Sequence, residues 1–287
     1  FALINSNLVQ ADDMKLSDEI VKDVLKGLLI PLWNAYSFFV TYANIDGYVP
    51  SSTPTSSLSN PLDKWIISDL EKLVKKATDA FDNYQIQDVT QALLSFIDDL
   101  NNWYIRRSRR RFWRSENDSD KKQAYDTLYR VLMTVVKVAC PMIPFVTEAI
   151  YQNLKTNGDM ESVHLSDYPE YDESERDFKL EDEMEIIMKT IEMGRALRAT
   201  SNLKVRQPLK EFVVVSRNDQ HRENLEKNKD IILEELNVKD VKVRADESDL
   251  VSYSAKANFK VLGAKLGKSM KEVASIIQNF TDGEIAS

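Results

Sequence analysis

From Ser17 onward apolar residues recur at helical spacing: Ile20, Val24, Leu25, Leu28, Leu29, Leu32, Trp33, Tyr36, Phe39 and Val40. That period predicts an amphipathic helix, and Pro31 inside it predicts a kink or a split. The preceding Phe1–Asp12 reads as an extended lead-in. Tyr48–Pro61 (YVPSSTPTSSLSNP) is a surface loop by composition. Asn60-Pro61 opens a second helix with proline in its first turn, running to about Phe81. A third starts near Ile86 and carries Leu93, Phe96, Ile97, Leu100 and Trp103. After a polar break at Glu116–Asp120, a fourth spans Tyr125–Ala139 and ends before Pro141. A fifth follows Pro144 to about Leu154. Four or five amphipathic helices with short joints predict an antiparallel bundle.

The pattern changes beyond a polar connector from about Asn157 to Lys179. A helix near Leu180–Arg198 precedes Glu211–Ser216 (EFVVVS), a β-branched run that predicts a strand. A helix over about Asn224–Leu236 follows, then short strands at Val238–Arg244 and about Val251–Phe259, then a last helix over about Ser269–Phe280. The expected fold is therefore mainly α: an antiparallel helix bundle over residues 1–175, then a small α/β domain over residues 176–287.

Length and composition agree with two domains, since 287 residues is about twice the usual domain length. Hydrophobic residues make up 43%, enough for a core. A single cysteine, Cys140, excludes an internal disulfide framework and any Cys-rich zinc site. Two histidines, His164 and His221, argue against a multi-His metal centre. No uninterrupted run of about eighteen apolar residues exists, so no membrane-spanning segment is expected. Seven glycines are too few for a glycine-rich nucleotide fold.

The net charge of −8 hides a local reversal. Between Asn101 and Arg114 lie Arg106, Arg107, Arg109, Arg110, Arg111 and Arg114, with no acid among them. A concentrated basic segment on an acidic body predicts a localised anion site. The segment also carries Trp103, Tyr104 and Trp113. Arginine interleaved with aromatic rings suits RNA, because guanidinium groups meet phosphates while flat rings stack on bases. A solvated basic helix end is the plain alternative. At 100° per residue Arg106, Arg109, Arg110 and Trp113 lie opposite or beside the core stripe, whereas Arg107 and Arg111 fall on it with Leu93, Leu100 and Tyr104. An inward arginine needs a partner.

The segment Asn102-Trp-Tyr-Ile-Arg-Arg-Ser-Arg-Arg-Arg-Phe-Trp113 resembles the anticodon-binding helix of class I aminoacyl-tRNA synthetases, in the isoleucyl branch. Other segments are similar in order and spacing. These are Leu3-Ile-Asn-Ser, Leu32-Trp-Asn-Ala-Tyr-Ser-Phe-Phe, Pro144-Phe-Val-Thr-Glu148 with Tyr151, and Ser162-Val-His-Leu with Tyr168-Pro169. Beyond them Arg195-Ala-Leu-Arg, Asn202-Leu-Lys-Val-Arg-Gln-Pro-Leu-Lys210 and Asn258-Phe-Lys-Val-Leu-Gly263 resemble the C-terminal junction of that branch.

The resemblance implies that the chain, which starts at Phe1, is a C-terminal piece of an ATP-dependent isoleucine–tRNA ligase of the cytoplasm. Its partners would be tRNA(Ile) and an absent N-terminal catalytic domain, with no membrane. The His-Ile-Gly-His and Lys-Met-Ser-Lys-Ser signatures of the class do not occur, so no catalytic residue is assigned. No cofactor is expected in this piece, ATP and Mg belonging to the parent enzyme. The missing four-Cys zinc module points to the eukaryotic cytosolic or archaeal type. A stand-alone helical RNA-binding or interaction scaffold derived from a synthetase is the alternative.

On this reading the RNA-binding residues are Asn102, Trp103, Tyr104, Arg106, Arg109, Arg110 and Trp113. Candidates of second rank are Arg107, Arg111, Lys204, Arg206, Lys260 and Lys268. Glu148, which the family places on a neighbouring helix, is the expected structural partner of Arg107 or Arg111. Arg195, Arg198 and Lys210 suit RNA contacts and salt bridges equally. Gly263-Ala-Lys-Leu-Gly267-Lys-Ser269 imitates a phosphate loop but has three residues between its glycines where that motif needs four. The lysines between Lys256 and Lys271 read as a solvated face first and as contacts to a tRNA backbone second. His164 and His221 have no nucleophile or carboxylate at triad spacing.

Overall fold

In a computed structural model the chain divides into two units, Phe1–Asp182 and Glu183–Ser287. The structure describes residues 1–10, 12, 13, 17–50, 58–113, 119–246, 255–280 and 285.

The first unit opens with one continuous helical run: α1 (Asp18–Val24), a wide π-turn (Leu25–Leu29) and α2 (Ile30–Asp46). Pro31 does not interrupt it. The wide turn directly ahead of Pro31 takes up a ring that would otherwise meet the carbonyl four residues back. The run Asp18–Asp46 reaches a mean hydropathy of 1.2 over eighteen residues, so by length and composition it is long and apolar enough to cross a membrane. The sequence reading missed this because Pro31, Asn34 and Ser37 interrupt the apolar positions. In the fold Leu28, Leu32, Ala35, Tyr36, Phe39 and Ala43 are buried. Gly47, at φ 64°, ends α2 in the left-handed conformation.

Asn60 caps α3 (Pro61–Asp82), its side chain accepting the Leu62 N–H at 2.9 Å. α4 (Ile86–Asp99) passes through a second π segment, Leu100–Ile105, into α5 (Arg106–Trp113). α6 (Ser119–Ala139) and α7 (Pro144–Leu154) complete the bundle. α3 packs on α4 and α6, and α6 on α2, α5 and α7. The start of α6 is fastened to the end of α2. Lys121, fully buried, pairs with Asp46 at 2.7 Å, and Tyr125 donates to the same carboxylate. Tyr48 and Tyr125 stack with centroids 4.8 Å apart.

The connector is not loose. Arg130 on α6 pairs with Glu71 on α3 and with Glu175, while Glu71 also accepts the Asp172 N–H at 2.9 Å. Arg176 grips Glu181 through two 2.6 Å bonds, and Ser68 donates to Glu181. α8 (Phe178–Thr200) begins here and continues into the second unit.

In the second unit β1 (Phe212–Val215) pairs in parallel with β2 (Val241–Arg244), Phe212 opposite Val241. Parallel strands need a crossover, and α9 (Asp219–Lys227) and α10 (Lys229–Leu236) provide it where a single helix was expected. Asn228 separates the two. Leu225, Ile232, Leu236 and Val241 are buried together with Met184, Ile187 and Ile191 of α8. Gly194 of α8 is required by close packing, since a Cβ there would lie 2.5 Å from Leu236 Cδ1. Of the strand expected at 251–259, residues 251–254 lie outside the described residues, and Phe259 instead opens α11 (Phe259–Leu266). The imitation phosphate loop therefore starts inside a helix. α12 (Met270–Gln278) follows.

One acidic patch in the first unit has a measurable cost. Burial, then the charges of Asp69 and Asp98, push the Asp99 carboxyl up to about 7, against the pull of Lys72. Asp69 is itself buried and raised, chiefly by burial. Between the unfolded value near 4 and this folded value the native state binds the extra proton, so stability falls as pH rises through that window. Asp99→Asn is expected to flatten the slope and to raise stability at pH 8 by about 1–2 kcal/mol. Urea midpoints at pH 4.5, 6 and 8 test it; parallel pH profiles for variant and parent would refute it.

Candidate nucleic-acid interface

The basic helix α5 and the π segment before it are held by three inward residues, Arg111, Phe112 and Tyr104. Arg111, 6% exposed, forms two parallel 2.7 Å bonds to Asp63 in the first turn of α3. It reaches Asp120 at the start of α6 as well, at 2.8 Å to the carboxylate and 2.9 Å to the carbonyl. Asp63 is fully buried, and its Oδ1 also accepts the hydroxyl of Tyr104 at 2.8 Å. Phe112 meets Tyr125 edge-on with centroids 4.9 Å apart, and Phe38 of α2 at 5.1 Å. Burial lowers the affinity of the Arg111 guanidinium for its proton, but hydrogen bonding and charge from Asp63 more than compensate, leaving its pKa above the ordinary value. Burial, then the Asp63 charge, pushes the Tyr104 hydroxyl well up, so it stays protonated and donates.

The expected partner for an inward arginine was Glu148, and the structure corrects this. Glu148 accepts from Gln152, from Ser162 Oγ at 2.9 Å and from the Val163 N–H at 2.9 Å. Burial raises its pKa, but these three donors outweigh that and hold it below the usual carboxylate value. It therefore fixes the chain leaving α7 and touches no arginine of α5. Asp63 was legible in principle: it is an acid on the inward stripe of α3 with Ile66, Leu70 and Leu73.

Two aromatic candidates are also corrected. Trp103 is 7% exposed and Tyr104 fully buried, so neither ring offers a face to RNA. Leu100, Trp103, Tyr104 and Ile105 of the π segment all lie in the core. A regular wheel already sets Tyr104 on the core stripe with Leu93 and Leu100, and only the motif made these rings RNA candidates. Asn102 is exposed and donates to Asp98 at 2.5 Å.

What faces out is narrower than the sequence segment. Arg109 and Arg110 are exposed, and Trp113 is 57% exposed. Arg106 is half-buried, its guanidinium 5.7 Å from the Trp103 ring centroid and its Nε donating to the Asn102 carbonyl at 2.7 Å. Arg107 is half-buried too, and Arg114 lies outside the described residues. Two adjacent cations beside an exposed indole can bind phosphate and stack on a base.

In the second unit Arg195 pairs with Glu235 at 2.5 Å, and Arg198 is buried against main-chain carbonyls. Both are structural. Lys204, Arg206, Lys210 and Lys260 are exposed, while the Lys268 side chain is outside the described residues. His164 lies in the short turn Val163–Leu165 and His221 near the start of α9. Among the described residues no group of three or more His, Cys, Asp or Glu is placed to hold a metal ion.

A family model described as the anticodon-binding domain of tRNA ligase matches residues 63–214. The isoleucine–tRNA ligase of Treponema denticola is 52% identical over 295 residues, covering 99% of this chain and 27% of that protein. Those of Protochlamydia amoebophila and Clostridium novyi are 43% and 42% identical, over 99% and 95% of this chain. The chain thus spans about a quarter of the length of these relatives. All three are bacterial, so the expected eukaryotic or archaeal type is not supported. A module missing from a quarter-length piece could not decide the branch.

The burial pattern divides the arginines by their effect on folding. Asp63→Ala strands the Arg111 charge and is expected to cost about 3–5 kcal/mol. Arg109→Ala and Arg110→Ala should each stay within about 0.5 kcal/mol of the parent. Thermal melts decide it, and equal losses in both groups would contradict the division.

Proposed function

Since the chain belongs to the anticodon-binding domain family of tRNA ligases, we propose that it is the tRNA-binding part of an isoleucine–tRNA ligase. It binds the anticodon arm of tRNA(Ile) while a catalytic domain elsewhere in the parent protein performs ATP-dependent aminoacylation in the cytoplasm. The observation that carries this is the outward face of α5: Arg109, Arg110 and Trp113 exposed on a helix fixed from behind by a buried ion pair. Similarity over 99% of this chain to isoleucine–tRNA ligases supports the choice of amino acid.

The residues divide the work by chemistry. Arg109 and Arg110 neutralise phosphates and supply a salt-dependent share of affinity. Trp113 gives a stacking surface for an unpaired base, worth about 1–3 kcal/mol on removal. The Asp63–Arg111 pair sets the helix rotation that keeps these three outside. The role of these residues is to position the tRNA.

Binding of a tRNA(Ile) transcript by the 287-residue chain, compared with a transcript of altered anticodon, tests the proposal. Tighter binding to the native anticodon is expected, together with no isoleucine-dependent pyrophosphate exchange. Trp113→Ala should weaken binding about tenfold or more without lowering the melting temperature. Equal affinity for both transcripts would refute anticodon recognition.

A further inference from the structure

The loop between α8 and β1 in the second unit is organised from the inside by one arginine. Arg198, in the last turn of α8, is 4% exposed. Its Nη1 donates to the carbonyls of Lys204 at 3.1 Å and Gln207 at 3.0 Å. Its Nη2 donates to those of Leu236 at 2.6 Å and Asn237 at 3.1 Å. Asn237, left-handed at φ 48°, adds a 2.9 Å bond from its side chain to the Val205 carbonyl. The carbonyls of Lys204, Val205 and Gln207 are thereby held inward, and the side chains of Lys204, Val205, Arg206 and Gln207 are left exposed.

Charge adds a second feature. The guanidinium of Arg198 is met by carbonyl dipoles, two of them at the end of α10 where a cation is favoured. Dipoles stabilise the charge but do not cancel it, so its positive field persists beneath the loop. On the surface above, Lys204 and Arg206 have no ion-pair partner among the described residues. Elsewhere in the same unit Arg195, Arg222, Lys227, Lys229 and Lys242 each hold a carboxylate.

We propose that the loop Leu203–Lys210 is a second nucleic-acid contact, in which Lys204 and Arg206 bind backbone phosphates without reading bases. This rests on the reading that the chain binds tRNA. A loop already ordered by Arg198 loses little conformational freedom on binding, so its charge contacts are delivered at small entropic cost. Phosphate binding is sequence-independent, so the loop adds affinity and register while recognition stays on α5.

The test is a salt titration of tRNA(Ile) transcript binding by the 287-residue chain and its Lys204→Ala/Arg206→Ala variant. The slope of log K against log salt should fall by about two, the loss should be equal for native and altered anticodons, and the melting temperature should not move. Lys204→Arg with Arg206 retained should keep the parental slope. An unchanged slope in the double variant, with the parent binding normally, overturns this inference and leaves the α5 reading intact. A parent that fails to bind the transcript removes both. Loss of polyglutamate binding with no change in the RNA slope would assign the loop to an acidic protein and also overturn it.

Discussion

The buried ion pair between Asp63 and Arg111 is the constraint on which the RNA face depends. A helix carrying arginine at five of six consecutive positions must turn some of them toward the core, and which can stay there depends on a partner. A carboxylate with no exposed surface, placed in the first turn of α3, decides it. Once Arg111 is committed, the adjacent Phe112 falls into the aromatic group of Phe38 and Tyr125, and Arg109, Arg110 and Trp113 turn outward. The carboxylate is satisfied rather than merely close: Asp63 takes the guanidinium through two bonds and Tyr104 through a third, while the Arg111 Nε is buried without a partner. Such a pair adds little net stability over an apolar substitute, but removing one member is expensive. Its role is to specify orientation.

The second unit uses the same side chain with a different counterpart. Arg198 is as buried as Arg111 yet meets only carbonyls, so it orders a loop without neutralising itself. One arginine fixes a helix and the other fixes a loop, each leaving cations outside. Their neighbours Arg195 and Arg130 are engaged with carboxylates and hold elements together. Counting basic residues along the chain therefore overstates the interface, because position relative to the core determines what each can do.

Much of the architecture was legible in apolar spacing. The bundle helices, the β1 strand and the change of pattern after the connector follow from periods of 3.6 and 2 that tertiary packing preserves. The site was legible only in part. Arg109, Arg110 and Trp113 lie on the face that a regular wheel leaves outside, but Trp103 and Tyr104, chosen for RNA from the motif, keep the core positions that their apolar spacing gave them. At Pro31 a wide turn absorbed a residue expected to break the helix. Asp63 was missed because its partner lies 48 residues away, a separation no local pattern encodes. Glu148 was chosen for its place in the family, and its carboxylate serves the chain leaving α7 instead.

Amide hydrogen exchange on the Asp63→Asn variant addresses the orienting role directly. This substitution keeps the shape and removes the charge that holds Arg111. If the ion pair fixes α5, protection should fall selectively at Arg106–Trp113 while α3, α4 and α6 keep the protection of the parent chain. Unaltered protection across α5, or a uniform decrease over the whole first unit, would contradict the claim that this one pair sets the face presented to RNA.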